Sequence, residues 1–459
     1  MTTRLLIRGG TIVSLDPTLG IMREADLLIE DGTIVAIAAR LEVDAETIDA
    51  AGAIVMPGLV DAHRHLWYEI VRGMAMDSSL EALHTTIWAR LATRFTPEDV
   101  YVATRAAIVD ALDNGITTVL DWCHIINTPE HGEAAIRAHR ELPIRSVFAY
   151  GTSMRRKLAE LEGRGADSTG AAEAGRVVPA LVQRAGDRMT FALALQGPES
   201  ASIATTRKEV ASARDLGLPM SMHVGIRDAR RPRRSVARLA RAGLLAGDMQ
   251  FVHCCTTSAG ELRQIAEAGA RIVVCPTAEM ALGIGVPPTG RARDCGLRPA
   301  LAADAVCSAS GDLFDEARLA LLAERSLRAA GSTGPDRRSA SGSGSEETVP
   351  STREALAGIT LDAARACWLE DRIGSLAVGK RADIVLLRGL DVDLVPGVDL
   401  HATIVGSAHG SNVDTVIVDG EIVKRGGTLL GIDRERIGAA LAAGRERLFA
   451  DAAASPLAG

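Results

Sequence analysis

The stretch Pro57-Gly-Leu-Val-Asp-Ala-His-Arg-His65 opens on a Pro-Gly turn, runs through Leu59 and Val60, and ends in two histidines one residue apart. In an extended chain, residues two apart face the same side, so both imidazoles can reach one metal ion. Later segments end in the same way. Pro219-Met-Ser-Met-His223, Gln250-Phe-Val-His253 and Arg298-Pro-Ala-Leu-Ala-Ala-Asp304 each close an apolar run with a metal-competent side chain. Core histidines satisfied by packing have no reason to collect at the same end of successive strands. The chain holds only ten histidines, so these five residues are read as parts of one metal centre.

The surroundings of this stretch set the fold. From 57 to 365, short β-rich runs alternate with helical patterns: Ile116-Thr-Thr-Val-Leu-Asp121, Arg145-Ser-Val-Phe-Ala-Tyr150, Thr190-Phe-Ala-Leu-Ala-Leu195 and Ala270-Arg-Ile-Val-Val-Cys275 join those above. Strands alternating with helices imply a parallel sheet. About eight such units suit a closed barrel, whose catalytic groups lie at the C-terminal strand ends. Outside this region, Leu5 to Leu15, Ala25 to Ile37 and Ile54 to Met56 read as strands, with Asp31-Gly32 as a hairpin turn. The other end repeats the pattern in Ala382 to Leu387 and Val416 to Val423, with a second Asp-Gly turn at 419–420. Isolated hairpins are marginal in water, so the two ends are expected to pair. The expected architecture is α/β: a (β/α)8 TIM-type barrel over 57–365, with a small composite β-sandwich from 1–56 and 366–459, the latter ending in a helix. Residues 331–350, with Ser-Ala-Ser-Gly-Ser-Gly-Ser at 339–345, read as a polar surface loop.

Bulk properties narrow the function. The 459 residues are 47% hydrophobic and 24% charged, an ordinary globular composition. The net charge is −7, with no basic stripe interleaved with aromatics, which argues against a nucleic-acid partner. The run from Arg227 to Arg234 holds five arginines and reads as a solvated loop. No window of about 20 apolar residues predicts a membrane span, and the start at Met1 carries no leader-like core. The seven scattered cysteines predict reduced thiols in a cytoplasmic protein. A small-molecule substrate and a homo-oligomeric state are expected.

Three blocks carry a resemblance. Pro57 to His65, Gly374-Ser-Leu-Ala-Val-Gly-Lys-Arg-Ala-Asp-Ile-Val385 and Val416-Ile-Val-Asp-Gly-Glu-Ile-Val423 resemble the signatures of the amidohydrolase superfamily. Phe251-Val-His-Cys254, Val274-Cys-Pro276 and Leu282-Gly-Ile-Gly285 are similar to the branch holding cytosine and guanine deaminases and triazine hydrolases. The resemblance implies a catalytic divalent metal and hydrolysis of a C–N or related bond. It makes His63, His65, His223 and Asp304 the ligands. Asp304 would also take a proton from the activated water, and His253 would contact that water or a substrate oxygen. Zinc is the expected ion, with iron, manganese or cobalt as alternatives, because N/O sites accept several first-row ions.

Two departures matter. Binuclear relatives bridge their ions with a carboxylated lysine on the fourth strand. Here that strand ends in Gln196 and Glu199, and Lys157 lies in a charged stretch after the preceding strand, so one ion is expected. In the deaminases a glutamate follows the fifth-strand histidine by three residues, whereas here the segment is His223-Val-Gly-Ile226. Glu279 is the candidate substitute, with a surface or capping carboxylate as the plain alternative. His124, Gln196, Asp121 and Trp67 (with Tyr68 beside it) are candidate substrate contacts. Asp121 could equally cap a helix or hold a ligand histidine, and Trp67 could simply pack. No role is assigned to His84, His131, His139, His401 or His409. The leading expectation is a metal-dependent hydrolase of a small cyclic or aromatic amide or amidine. A heterocycle deaminase is the alternative, and a catalytically dead binding barrel the third.

Overall fold

The computed structural model describes residues 3–151, 153, 170–226, 232–331, 350–395 and 397–454. Lys157, most of the Arg227–Arg234 run and the serine-glycine stretch at 339–345 lie outside the described residues.

The chain opens with five strands: β1 (Arg4–Val13), β2 (Ile21–Glu30), β3 (Thr33–Ala38), β4 (Glu46–Asp49) and β5 (Ile54–Pro57). Asp31 and Gly32 both adopt positive φ, 46° and 74°, between the antiparallel β2 and β3. Two left-handed residues give a hairpin turn whose twist matches its strands, which is why Asp-Gly was legible there.

Eight parallel strands follow: β6 (Leu59–Arg64), β7 (Ile116–Cys123), β8 (Arg145–Gly151), β9 (Met189–Leu195), β10 (Met220–Val224), β11 (Met249–His253), β12 (Arg271–Val274) and β13 (Ala300–Leu301). They form one sheet in chain order. Helices such as Pro97–Asp113, Pro129–Glu141, Ile203–Asp215 and Ala259–Glu267 connect them. Capping boxes at Thr96/Asp99 and Ser258/Glu261 start two of these helices where their free N–H groups need acceptors. The barrel closes where the chain beyond β13 meets β6. Asp304 N–H donates to the His63 carbonyl at 3.0 Å, and His65 N–H donates to the Asp304 carbonyl at 2.8 Å. The interior is a packed core of small and branched side chains, among them Val60, Ala62, Leu120, Val147, Ala149, Ala192, Ala194, Val252 and Val273. Ala363, Ala364 and Ala366 of the helix Leu361–Ala366 join the same cluster.

The remaining strands are β14 (Ile384–Leu387), β15 (Val413–Val418), β16 (Glu421–Arg425) and β17 (Thr428–Leu429). β14 pairs antiparallel with β5, so both chain ends share one nine-stranded sheet. Its faces separate by alternation. Val55, Ile384, Leu386 and Ile417 join the sheet's own core with Leu5, Ile7, Leu27 and Ile29. Ile54, Met56, Val385, Leu387, Val416 and Val418 join the barrel's outer core. That is the period-two pattern of a strand buried on both faces. A buried ion pair joins the two sheets: Arg145 of β8 donates to both oxygens of Asp383 at 2.8 and 2.9 Å and to Asp419 at 2.8 Å. The C-terminal helix Arg434–Ala454 packs on the barrel helix Pro97–Asp113, with Leu448 buried and Arg447 paired with Asp99.

Candidate active site

The ends of β6, β10 and β11 and the chain after β13 bring five of the expected residues together. Ligand-capable atoms of His63, His65, His223 and Asp304 all lie within 4.8 Å of one another. His63 Nε2 and His65 Nε2 stand 3.3 and 3.4 Å from the same oxygen, Asp304 Oδ1. A tetrahedral ion with bonds of about 2.0–2.1 Å has edges of roughly 3.3 Å. Nitrogen lone pairs converging on a carboxylate oxygen are favourable only with a proton or a cation between them, so the donor set fits a divalent ion. His65 Nδ1 donates to the Trp122 carbonyl at 2.7 Å, which leaves Nε2 as the nitrogen facing Asp304.

Backbone conformation keeps these groups in place. His253 and Asp304 have φ of 73° and 58°, left-handed values that non-glycine residues rarely adopt. Such strain persists only where the surroundings over-determine it. Arg64, between His63 and His65, is fully buried and turns away from them to Asp110 of the helix Pro97–Asp113, at 2.8 Å. It thereby ties the end of β6 to the barrel's outer layer.

Electrostatics follow from burial and pairing. Burial would raise the Asp304 carboxyl, but hydrogen bonding to His63 and the charges of His253, His63 and His65 outweigh it and hold the group at about 2. Burial lowers His63. Burial also opposes charge on His253, but Glu279 and Asp304 more than offset it and favour the protonated ring.

A cavity opens over the cluster, walled by Tyr68, Trp88, Trp122, His84 and His124, with Leu80, Leu83, Leu195, Ile226, Leu282 and Ile284 as its apolar surface. Gln196 and Ser200 are further polar groups in its lining. Of the expected substrate contacts, His124 and Gln196 line it, and Trp67, Asp121 and Glu279 do not. Asp121 is displaced by strand alternation. Leu120 and Trp122 take the inward positions of β7, so Asp121 faces outward to His139 Nε2 at 3.2 Å. Trp67 stacks behind Tyr68 with ring centroids 3.9 Å apart, and Tyr68 forms the wall. Glu279 is neither on the surface nor in the cavity. It is fully buried behind His253, 3.2 Å from Nδ1. Glu199 accepts from Gly225 N–H at 3.2 Å and Ser235 Oγ at 2.5 Å, pinning the loop after β10 rather than joining the ligand group. Gly225 holds that loop at φ 66°, and a Cβ there would stand 3.0 Å from the Cys254 backbone.

Sequence reasoning passed over His84, Trp88 and Trp122. His84 and Trp88, four residues apart and stacked with centroids at 4.0 Å, sit in the long connection after β6. An aromatic and a histidine one helical turn apart, in the loop that follows the His-x-His strand, were the available signal.

These features define a (β/α)8 barrel with a histidine–carboxylate group able to hold a metal ion at the C-terminal strand ends. The chain belongs to the amidohydrolase family, whose model matches residues 54–423. It is 29% identical over 95% of its length to the 5-methylthioadenosine/S-adenosylhomocysteine deaminase of Desulforudis audaxviator, 96% of which is covered. A solved adenosine deaminase from Xanthomonas campestris with bound zinc superposes with a TM-score of 0.82 at 24% identity, over 98% of this chain and 99% of that one. The atrazine chlorohydrolase of Arthrobacter aurescens, complexed with zinc, gives 0.83 at 23% identity, over 96% and 100%. The chain is thus a metal-dependent hydrolase of carbon–nitrogen bonds. Among the described residues, no helix is long and apolar enough to cross a membrane.

Proposed function

We propose that this enzyme deaminates a small, planar amino-heterocycle, with one zinc ion held by His63, His65, His223 and Asp304. The observation that carries the reading is the ligand group at the floor of an aromatic cavity. The full-length likeness to a deaminase of adenine nucleosides supports it. The metal would supply a Lewis acid that makes water a nucleophile near neutral pH. Asp304 Oδ2 and His253 Nε2 face each other at 4.0 Å and are the groups that take and return protons. Trp88, Trp122 and Tyr68 line the cavity and would exclude water from beside the ring, while His124 and Gln196 provide polar contacts.

A second reading, hydrolysis of a cyclic amide without ammonia release, draws on Ile226. This apolar residue lines the cavity where a proton-shuttling glutamate would stand. The two readings separate in one assay. Zinc-loaded enzyme is incubated with 5-methylthioadenosine, adenosine, cytosine, aminotriazines and cyclic amides, and ammonia is followed. Release from an amino-heterocycle is expected. Ring opening of a cyclic amide, with no ammonia from any amino compound, would sink the deaminase reading.

We also place the enzyme in the cytoplasm as a homo-oligomer. Seven free cysteines, six of them buried, suit a reducing compartment. Leu390, Val392 and Val398, exposed by 74, 91 and 86% on one loop, suit a subunit contact, which sedimentation would check.

A further inference from the structure

Pro276 opens a short helix, Pro276–Ala281, directly after β12 and its Cys275. From its first turn the Glu279 side chain folds back. Its Oε1 accepts the Cys275 N–H at 2.8 Å and lies 3.2 Å from His253 Nδ1. An ionised carboxylate oxygen only accepts, so Oε1 of the Glu279 carboxylate takes both N–H groups and His253 carries a proton on Nδ1. Nε2 is then the nitrogen turned toward Asp304 Oδ2, 4.0 Å away.

The support extends one layer further. Glu316, fully buried on the helix Leu313–Gly331, accepts the Thr277 N–H at 3.0 Å and so pins the first turn of the helix that carries Glu279. His253 itself sits at φ 73°, a conformation that needs such bracing.

We infer that Glu279 is a positioning residue: it fixes the tautomer and ring orientation of His253 and never meets the substrate. The inference rests on His253 belonging to the reacting centre. A plain capping carboxylate would hold Cys275 N–H and leave the histidine indifferent to its loss.

The test uses the zinc-loaded full chain with 15N-labelled histidine, read by long-range 15N–1H correlation of the imidazoles. The His253 signals are assigned by their absence in His253→Asn. Wild type and Glu279→Gln are expected to show a proton on Nδ1, because the Gln Oε1 accepts the same two N–H groups. Glu279→Leu is expected to lose that pattern while keeping its zinc. With an active substrate, Glu279→Leu should lower kcat by about 10–100-fold, the usual cost of removing an imidazole's outer partner, with KM within about threefold. Glu279→Gln should stay within about threefold of wild type. An unprotonated Nδ1 in wild type, an unchanged ring in Glu279→Leu, or a Gln variant as slow as the Leu variant overturns the proposal. The spectrum needs no substrate, so a wrong tautomer refutes this inference alone, and absent ammonia release by the wild type refutes the deaminase reading alone.

Discussion

The two oxygens of Asp304 are divided between neighbours: Oδ1 takes His63 and His65, and Oδ2 faces His253. In the proposed reaction one carboxylate serves both the ion and the proton. Asp304→Asn keeps the shape and loses the base, so turnover should fall by at least about 10²-fold while circular dichroism stays unchanged. An Asn variant with more than a tenth of wild-type kcat would remove Asp304 from the proton path. That these five residues come together was legible because chemistry and position coincide: imidazoles and a carboxylate at the ends of apolar strands. Trp122 was not. In Leu120-Asp-Trp-Cys-His124 every residue could face inward, and only pairing with β6 and β8 sets the phase that buries Asp121 outward and Trp122 inward.

Single elements carry loads that their sequences only half declare. The hairpin turns and barrel strands were readable from Asp-Gly pairs and apolar runs. The C-terminal helix was grouped with the terminal sheet by its place in the chain, yet it packs on the barrel through residues such as Leu448. Periodicity shows which face is apolar, not which partner covers it. Leu448→Ala should cost about 2–5 kcal/mol in denaturant unfolding, the range for a buried leucine; a loss below about 0.5 kcal/mol would mean that the helix is not docked. The helix Leu313–Gly331 makes a pH-dependent contribution. Burial pushes Glu316 from 4.5 to about 8, so folding favours its protonated form. Its contribution is full below about pH 4.5, shrinks as pH rises and is lost through about pH 8. Asp61, raised by burial to about 6, adds to the lower part of that window. Glu316→Gln should flatten the decline and unfold at higher denaturant than wild type at pH 9, by at least about 1 kcal/mol, the worth of roughly one pKa unit. Parallel curves for the two proteins from pH 5 to 9 would contradict this.

Across the whole molecule, Arg145 and Asp383 are the joint between the barrel and the terminal sheet. Both are almost fully buried, and Arg145 keeps Asp419 as a second partner, so it is removal of Arg145 that strands a charge, on Asp383. Arg145→Met should cost about 3–5 kcal/mol, whereas replacing both Arg145 and Asp383 with apolar side chains should recover much of that loss. Equal destabilisation by the single and double changes would show that the pair is not coupled. The same joint has a meaning in time. β5 gains its neighbour β14 only when the chain has grown roughly 330 residues further. At ordinary rates of translation that is about a quarter of a minute to a minute, during which the edge of an apolar strand stands open on the nascent chain. The barrel is drawn out of the ribosome in between, so a chain arrested before residue 384 is expected to carry that edge without its partner strand, which limited proteolysis of a truncation ending there would check.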